Sequence, residues 1–320
     1  MSEIRLFRLS DDSVEPIVGS AVVLEKSLQT LIERHAEALL GVRFLASEYP
    51  TTKSHSGRID TLGIDDSGSP VIIEYKRAVN ENVINQGLFY LNWLMDHRAD
   101  FKLLVLETLG SEVAATIEWG SPRLVCIAGD FTKYDQHAIQ EMPRNIDLVR
   151  YRRYGDDLLL LEQVASSAVE INPVKSPKKP SAAEEPGATD GAVEPTPPGS
   201  FTGVGGRPKV MDTLDQCSPE VRDWYETLRA HALGLGDGVH EHFRNRYIAF
   251  RGLKHFAYVR FRPTQNKIRV EVSLDAATTA AEAGFVQVQN AKGHWPFLEI
   301  ASAEDVERAL PLIERSYLRS

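Results

Sequence analysis

Asp60, Glu74 and Lys76 combine the residue types and the spacing that hydrolysis of a charged ester needs. They lie in residues 57–77, GRIDTLGIDDSGSPVIIEYKR. Ile59, Leu62 and Ile64 are apolar around Asp60. Asp65, Asp66, Ser67 and Gly68 then form a turn signal. Val71, Ile72 and Ile73 run apolar into Glu74, Tyr75 and Lys76. The pattern predicts two strands of a hairpin, the second apolar enough to be buried on both faces. A strand buried that deeply does not carry Glu74 and Lys76 without a reason, because unpaired buried charge is very costly.

Side chains two apart on a strand share a face. Glu74 and Lys76 therefore project together, and the hairpin can bring Asp60 beside them. Two carboxylates next to one lysine suit a divalent cation with hard oxygen ligands that keeps several waters. Such an ion turns a bound water into a nucleophile and neutralises charge on a phosphate in transition. Lys76 can position that water or stabilise the transition state. A salt bridge across a hairpin would use the same three residues.

Asp60 followed by Glu74-Tyr75-Lys76, with the first acid inside GRID, resembles the PD-(D/E)xK nuclease signature. The GRID form resembles its NucS-like and RecB-like branches. Gln86 and Tyr90 form a QxxxY pair on a predicted helix, which resembles the RecB-type extension of the motif. Glu25, on an upstream helix, and Glu48, before the hairpin, match positions that are often acidic in such chains. The resemblance covers roughly residues 1–165. It implies Mg²⁺ or Mn²⁺ held by Asp60, Glu74 and the backbone carbonyl of Tyr75, with help from Glu25 and Glu48. Lys76 is then the catalytic cation, and Gln86 and Tyr90 orient the site or the scissile strand. Taken singly, Glu25 and Glu48 are equally well read as solvated side chains.

The elements that must position these residues follow from periodicity. Residues 4–9 read as a short strand. Residues 22–40 read as one amphipathic helix with Leu24, Leu28, Leu31, Ile32 and Leu39 toward a core. Residues 42–48 read as a strand broken by Pro50. Residues 81–97 form a helix opened by Asn80, on which Gln86, Tyr90, Trp93 and His97 share a face. Trp93 reads as core packing. Residues 101–106 and 123–128 read as central strands with a helical segment between them. Cys126 falls in the second and reads as core. Residues 133–141 read as a helix, and 146–154 with 158–161 as a late hairpin. The expected class is α/β, with a restriction-endonuclease-like mixed-sheet core of order αβββαβ and a separate α+β C-terminal domain.

The chain has 320 residues, which suggests two domains. Residues 1–165 form the nuclease-like domain. Residues 166–210 are rich in Pro, Ala and Glu and cannot bury enough apolar surface to order themselves, so they read as a disordered linker. Gly206-Arg207-Pro208 in it resembles the core of an AT-hook. Residues 211–320 form the C-terminal domain, similar to a small uncharacterised domain found fused to NucS-like nuclease domains. Its helices are expected over 219–233 and 302–318, the latter capped by Ser302 with Asp305. Strands are expected over 256–261 and 268–274.

Net charge is −9, which counts against a general nucleic-acid binder. The distribution matters more. Residues 239–274 hold eight Lys and Arg against two Glu, a local charge of +6. Arg260 and Arg262 share the outward face of one strand, with Tyr258, and Arg269 that of the next. With Arg58, these three are the candidate nucleic-acid contacts. They would position a substrate rather than read its sequence.

The expected activity is that of a Mg²⁺-dependent endodeoxyribonuclease acting in DNA repair or in defence against foreign DNA. The expected partner is single-stranded or structured DNA. A non-catalytic nucleic-acid-binding protein on a nuclease fold is the alternative. The sequence is compatible with a homodimer. With two cysteines it offers no disulfide scaffold or zinc site. Without a membrane span or signal-peptide pattern, the expected location is the cytoplasm.

Overall fold

The structure is a computed structural model that describes residues 4–11, 13–20, 25–51, 57–76, 83–155, 157–167, 208–288 and 295–320. Residues 168–207, most of the expected linker, including Gly206 and Arg207, lie outside the described residues, as do Asn80 and Leu24. Of Glu25 only the backbone is described.

The N-terminal half runs β1 (Leu6–Ser10), β2 (Ser13–Ile17), β3 (Gly19–Ser20), α1 (Glu25–Arg34), α2 (Ala36–Leu40), β4 (Val42–Pro50), β5 (Arg58–Asp65), β6 (Pro70–Lys76) and α3 (Val83–Asp96). It continues through α4 (Arg98–Leu109), α5 (Ser111–Ala115), β7 (Arg123–Ala128), α6 (Lys133–Gln140), β8 (Asn145–Tyr154) and β9 (Leu158–Ser167). Seven strands form one mixed sheet in the order β3-β8-β7-β6-β5-β4, with β9 on β8. β4, β5 and β6 are antiparallel, while β6, β7 and β8 are parallel. The order of a helical segment, three strands, helices, a strand, a helix and a strand contains the expected core succession.

Alternation along the central strands sorts two cores. Val71, Ile73, Val125, Ile127 and Val149 meet Leu28, Ile32, Ala36 and Leu40 of α1 and α2. Ile72, Leu124, Cys126 and Leu148 meet Tyr90, Leu91 and Leu94 of α3. β6 is covered on both faces, and each fully buried Val or Ile there is worth about 1.5–3 kcal/mol.

Three sequence expectations change. Residues 101–106 are helix α4 and not a strand. Phe101 and Val105, four apart, are buried, while Leu103 between them is exposed. That is helical burial, since a strand would bury all three. The helix expected over 22–40 breaks at His35, whose ψ of 23° leaves the helical region. Its Leu31 is 39% exposed and lies outside the core. Ser166 and Ser167 belong to β9, and Lys209 and the buried Val210 to a helix over Lys209–Asp215, not to the linker.

The C-terminal half holds α7 (Lys209–Asp215), α8 (Pro219–Gly234), β10 (His240–Phe243), β11 (Ile248–Arg251), β12 (His255–Arg262), β13 (Lys267–Val272), α9 (Ala276–Ala281), β14 (Val286–Gln287), β15 (Phe297–Ile300) and α10 (Ala303–Arg319). Its sheet is antiparallel, in the order β10-β11-β12-β13-β15-β14. α8 and α10 pack on one face through Leu228, Val306 and Ile313. Ser302 caps α10 by accepting from the Asp305 N–H at 3.2 Å.

The two halves are docked against each other. Asp147 of β8, fully buried, accepts from Arg123 of β7 at 2.6 Å and from Arg251 of β11 at 2.6 Å. Arg123 also donates to the carbonyl of Leu253 at 2.9 Å. Tyr247 donates to the carbonyl of Ser67, and Arg244 to Ser69 Oγ, both at 3.3 Å. These contacts gather at the Pro70 end of β6.

Candidate active site

Glu74 and Asp60 meet at the opposite end of β6. Thr61 pairs with Ile73, so the next step of the ladder sets Asp60 against Glu74. The pairing is stitched by two side-chain bonds. The Asp60 N–H donates to Glu74 Oε1 at 3.2 Å, and the Tyr75 N–H donates to Asp60 Oδ2 at 3.0 Å. Each carboxylate thus takes a backbone N–H of the neighbouring strand.

Glu74 has no exposed surface, and its second oxygen, Oε2, is buried with no hydrogen-bond partner. Burial pushes its carboxyl up to about 9, and the Asp60 charge adds to the rise. The Asp60 backbone bond and Lys76 oppose it. A buried carboxylate with an orphaned oxygen demands either a proton or a cation. Lys76 follows on the same face, half-buried at the end of β6.

The donor set fits a hard divalent cation. Two carboxylate groups set against each other suit Mg²⁺ or Mn²⁺, which bind through few protein ligands. Among the described residues, no group of three or more His, Cys, Asp and Glu is gathered to hold a metal. Glu48 is instead engaged by Lys26 at 3.1 Å and by Arg58 at 3.5 Å. The Glu25 side chain lies outside the described residues.

α3 brings Gln86 and Tyr90 together, with Gln86 Nε2 donating to Tyr90 Oη at 3.2 Å. Tyr90 is buried and covers Gly57, where an added Cβ would lie 2.6 Å from the hydroxyl oxygen. The glycine of GRID is therefore the space that Tyr90 occupies. Trp93 is buried and stacks on His97 with ring centres 4.4 Å apart, consistent with core packing.

Two groups escaped the sequence reading. Gln29 on α1 is buried and donates to the Asp60 carbonyl at 2.7 Å, to Glu33 at 2.9 Å and to Ser47 at 3.2 Å. Its place, one turn before the buried Ile32 and Glu33, was the available signal. The other is the Arg123–Asp147–Arg251 cluster. An Asp inside the apolar run Ile146-Asp147-Leu148-Val149 signals a buried partner, but not which one.

Arg260, Arg262 and Arg269 lie on the outward face of the C-terminal sheet. Arg260 and Arg269 are directly opposite and share Glu271 at 3.0 and 3.5 Å. Arg260 also lies over the Tyr247 ring, 4.6 Å from its centre. Because Tyr247 touches Ser67, this face belongs to the docked end. Glu74 stands four residues along β6 from Pro70, so the Asp60–Glu74 pair is about 13 Å from the docked end along the strand. The structure brings these three arginines together, but not beside Asp60.

A model of a domain of unknown function, DUF5655, matches residues 210–320. An uncharacterised protein of Haemophilus influenzae is 25% identical over 304 residues, and the match covers 92% of each chain. It therefore runs through both halves. Among solved structures, a repair endonuclease from Pyrococcus abyssi aligns with a TM-score of 0.28 and 15% identity, over 46% of this chain and 64% of that one. An EndoMS complex with double-stranded DNA aligns with a TM-score of 0.24 and 19% identity, over 40% of this chain and 46% of that one. This chain spans less than two thirds of the length of either. Among the described residues, no helix is long and apolar enough to cross a membrane.

Proposed function

We propose that the chain is a metal-dependent nuclease that hydrolyses phosphodiester bonds in DNA, with its site at the Asp60 end of β5 and β6. The observation that carries this is Glu74: a fully buried carboxylate, one oxygen unpartnered, set against Asp60 and followed by Lys76 on the same face. Structural ion pairs do not leave a buried carboxylate oxygen unmatched.

Asp60 and Glu74 would hold Mg²⁺ or Mn²⁺, with the Tyr75 carbonyl as the further ligand. When bound, the ion supplies a Lewis acid and a water of lowered pKa. Everything else falls to the chain. The Tyr75 N–H fixes the Asp60 carboxylate, and Gln29 fixes its backbone. Lys76 places a positive charge where the pentacovalent phosphate gathers negative charge, which lowers the barrier without tightening the ground state. Tyr90 covers Gly57 just before β5 and, held by Gln86, would orient the scissile strand. The C-terminal half, with Arg260, Arg262 and Arg269, holds DNA away from the cut.

The test is a panel of labelled single-stranded, duplex, mismatched and branched DNA, digested with Mg²⁺ or Mn²⁺. Asp60→Ala serves as the blank. Cleavage of any member by the wild type and none by the blank is expected. A wild type that leaves every member intact with either ion ends this reading.

A further inference from the structure

Beside the carboxylate pair stands a charged group that the chemistry above does not use. Glu48 lies on β4 at the step facing Asp60, between the Ser47–Thr61 and Tyr49–Ile59 pairs. Its backbone is left-handed, with φ of 50°. A residue with a Cβ adopts that conformation only where its surroundings enforce it, and such residues gather at functional sites. The two Glu48 oxygens receive one cation each. Lys26 Nζ reaches Oε1 from α1 at 3.1 Å, and Arg58 Nε reaches Oε2 from β5 at 3.5 Å.

Both cations are tied to Asp60. Arg58 is two residues before it on β5, hence on the same face. Lys26 also donates to Gln29 Oε1 at 3.2 Å, and Gln29 in turn holds the Asp60 carbonyl at 2.7 Å. Yet Lys26 and Arg58 remain 64% and 68% exposed. A surface ion pair of this kind adds little stability and does not account for a left-handed glutamate. The two exposed cations have another use: a polyanion approaching Asp60 and Glu74 meets repulsion that adjacent cations offset. The Lys26 hydrogen bond, with the charges of Lys26 and Arg58, holds the Glu48 carboxyl below the usual range against its partial burial, so it stays ionised.

We propose that Lys26, Glu48 and Arg58 form a clamp for the backbone phosphates of a nucleic-acid strand, with Glu48 the internal counter-ion that spaces the two cations and not a ligand of the divalent ion. This rests on the nuclease reading for the identity of its polyanion. Lys26 acts as a mobile point charge and Arg58 as a planar fork, both suited to phosphate oxygens. Neither contact reads sequence.

The clamp is tested apart from cleavage. Binding of a fluorescein-labelled 30-nucleotide strand and its duplex is followed by anisotropy in EDTA, across 50–200 mM salt. Mn²⁺ binding is followed separately, as a shift in melting temperature without DNA. In Lys26→Gln/Arg58→Gln, affinity for at least one probe is expected to fall about tenfold or more, and the salt slope to drop by about two units. The charge-preserving Lys26→Arg/Arg58→Lys pair should keep the slope. Glu48→Gln should keep the Mn²⁺ shift and bind DNA more tightly. Unchanged affinity and slope in the double Gln variant overturn the clamp, as does a wild type that binds neither probe. Loss of the Mn²⁺ shift in Glu48→Gln overturns it too, because Glu48 would then be a metal ligand. If the wild type cuts nothing while the double variant still loses affinity, the nuclease reading fails and the clamp stands.

Discussion

Arg251 Nη1 donates to Asp147 Oδ2 at 2.6 Å and so carries a buried charge of the C-terminal half into the N-terminal sheet. Arg123 meets the same oxygen, and Ser166 Oγ donates to the other, each at 2.6 Å. Burial alone would raise the Asp147 carboxyl. The Arg251 and Arg123 charges outweigh it and hold the group well below the usual carboxylate range. Asp147→Asn would leave two buried guanidinium groups around a neutral amide. We expect a loss of about 3–5 kcal/mol in urea unfolding of the full chain. The sign with pH follows from the lowered value. The contribution is present above the ordinary carboxylate range and is lost as pH falls below it. A wild-type unfolding midpoint no more acid-sensitive than that of Asp147→Asn would count against this account.

The same contact bears on the two halves as separate units. A chain ending at Ser167 keeps Arg123 and Asp147 but loses Arg251 and the Leu253 carbonyl that Arg123 uses. It should melt below the first transition of the full chain, and adding residues 208–320 in trans should restore part of the difference. Identical melting with and without the C-terminal half would show that the interface adds nothing.

Glu74 makes the metal-free protein sensitive to alkali. Its carboxyl is raised to about 9 by burial, then by Asp60. A carboxyl raised on folding contributes stability that is full below its unfolded value, 4.5, and is lost as pH rises through 9. At most about 1.4 kcal/mol per pH unit is lost across that window. Glu74→Gln should flatten the decline in EDTA and melt higher than wild type at pH 8. In the wild type, stabilisation by Mn²⁺ should grow over the same range, because the ion displaces a proton. A pH-independent Mn²⁺ shift would separate Glu74 from the metal.

How much of this was legible depended on whether the signal was local. The hairpin of β5 and β6 was readable because its alternation and its Asp65-to-Gly68 turn are contiguous in sequence. Asp60 and Glu74 were readable as a pair for the same reason. α4 was not, because Phe101, Leu103, Leu104 and Val105 are all apolar, and only the surface they meet decides which are covered. The docking of the halves was invisible because Asp147 and Arg251 lie 104 residues apart, and neither specifies its partner. Glu48 was legible as an acid near the motif, but its left-handed backbone and its two cations are properties of the folded sheet.

Gly57 supports the site by what it lacks. Tyr90 Oη occupies the space a Cβ would take, at 2.6 Å, and Tyr90 receives the Gln86 amide. Gly57→Ala should push Tyr90 from its buried place and break that bond. Overpacking of this kind costs about 1–3 kcal/mol. Tyr90→Phe, which keeps the ring, should cost less. In Gly57→Ala/Tyr90→Ala, much of the loss from the glycine change should disappear, because the clashing group is gone. Additive losses in the double variant, measured by thermal or urea unfolding, would mean that Gly57 is required by its backbone and not by Tyr90.

Lys76 separates catalysis from binding. It ends the same strand as Glu74 and shares its face, so in the proposed site its charge would sit beside the scissile phosphate. A group that acts on charge developing in the transition state affects turnover far more than ground-state affinity. Lys76→Ala should therefore lower single-turnover cleavage by about 100-fold or more, the scale of a lost electrostatic contact in a catalytic site. Affinity for uncleaved DNA in EDTA should stay within about threefold, with a salt slope changed by less than one unit. Lys76→Arg keeps the charge but not the compact ammonium and should recover only part of the rate. If Lys76→Ala instead weakens binding and rate by the same factor and leaves the bound complex as reactive as wild type, Lys76 is one more phosphate contact, and the catalytic charge must come from elsewhere in the site.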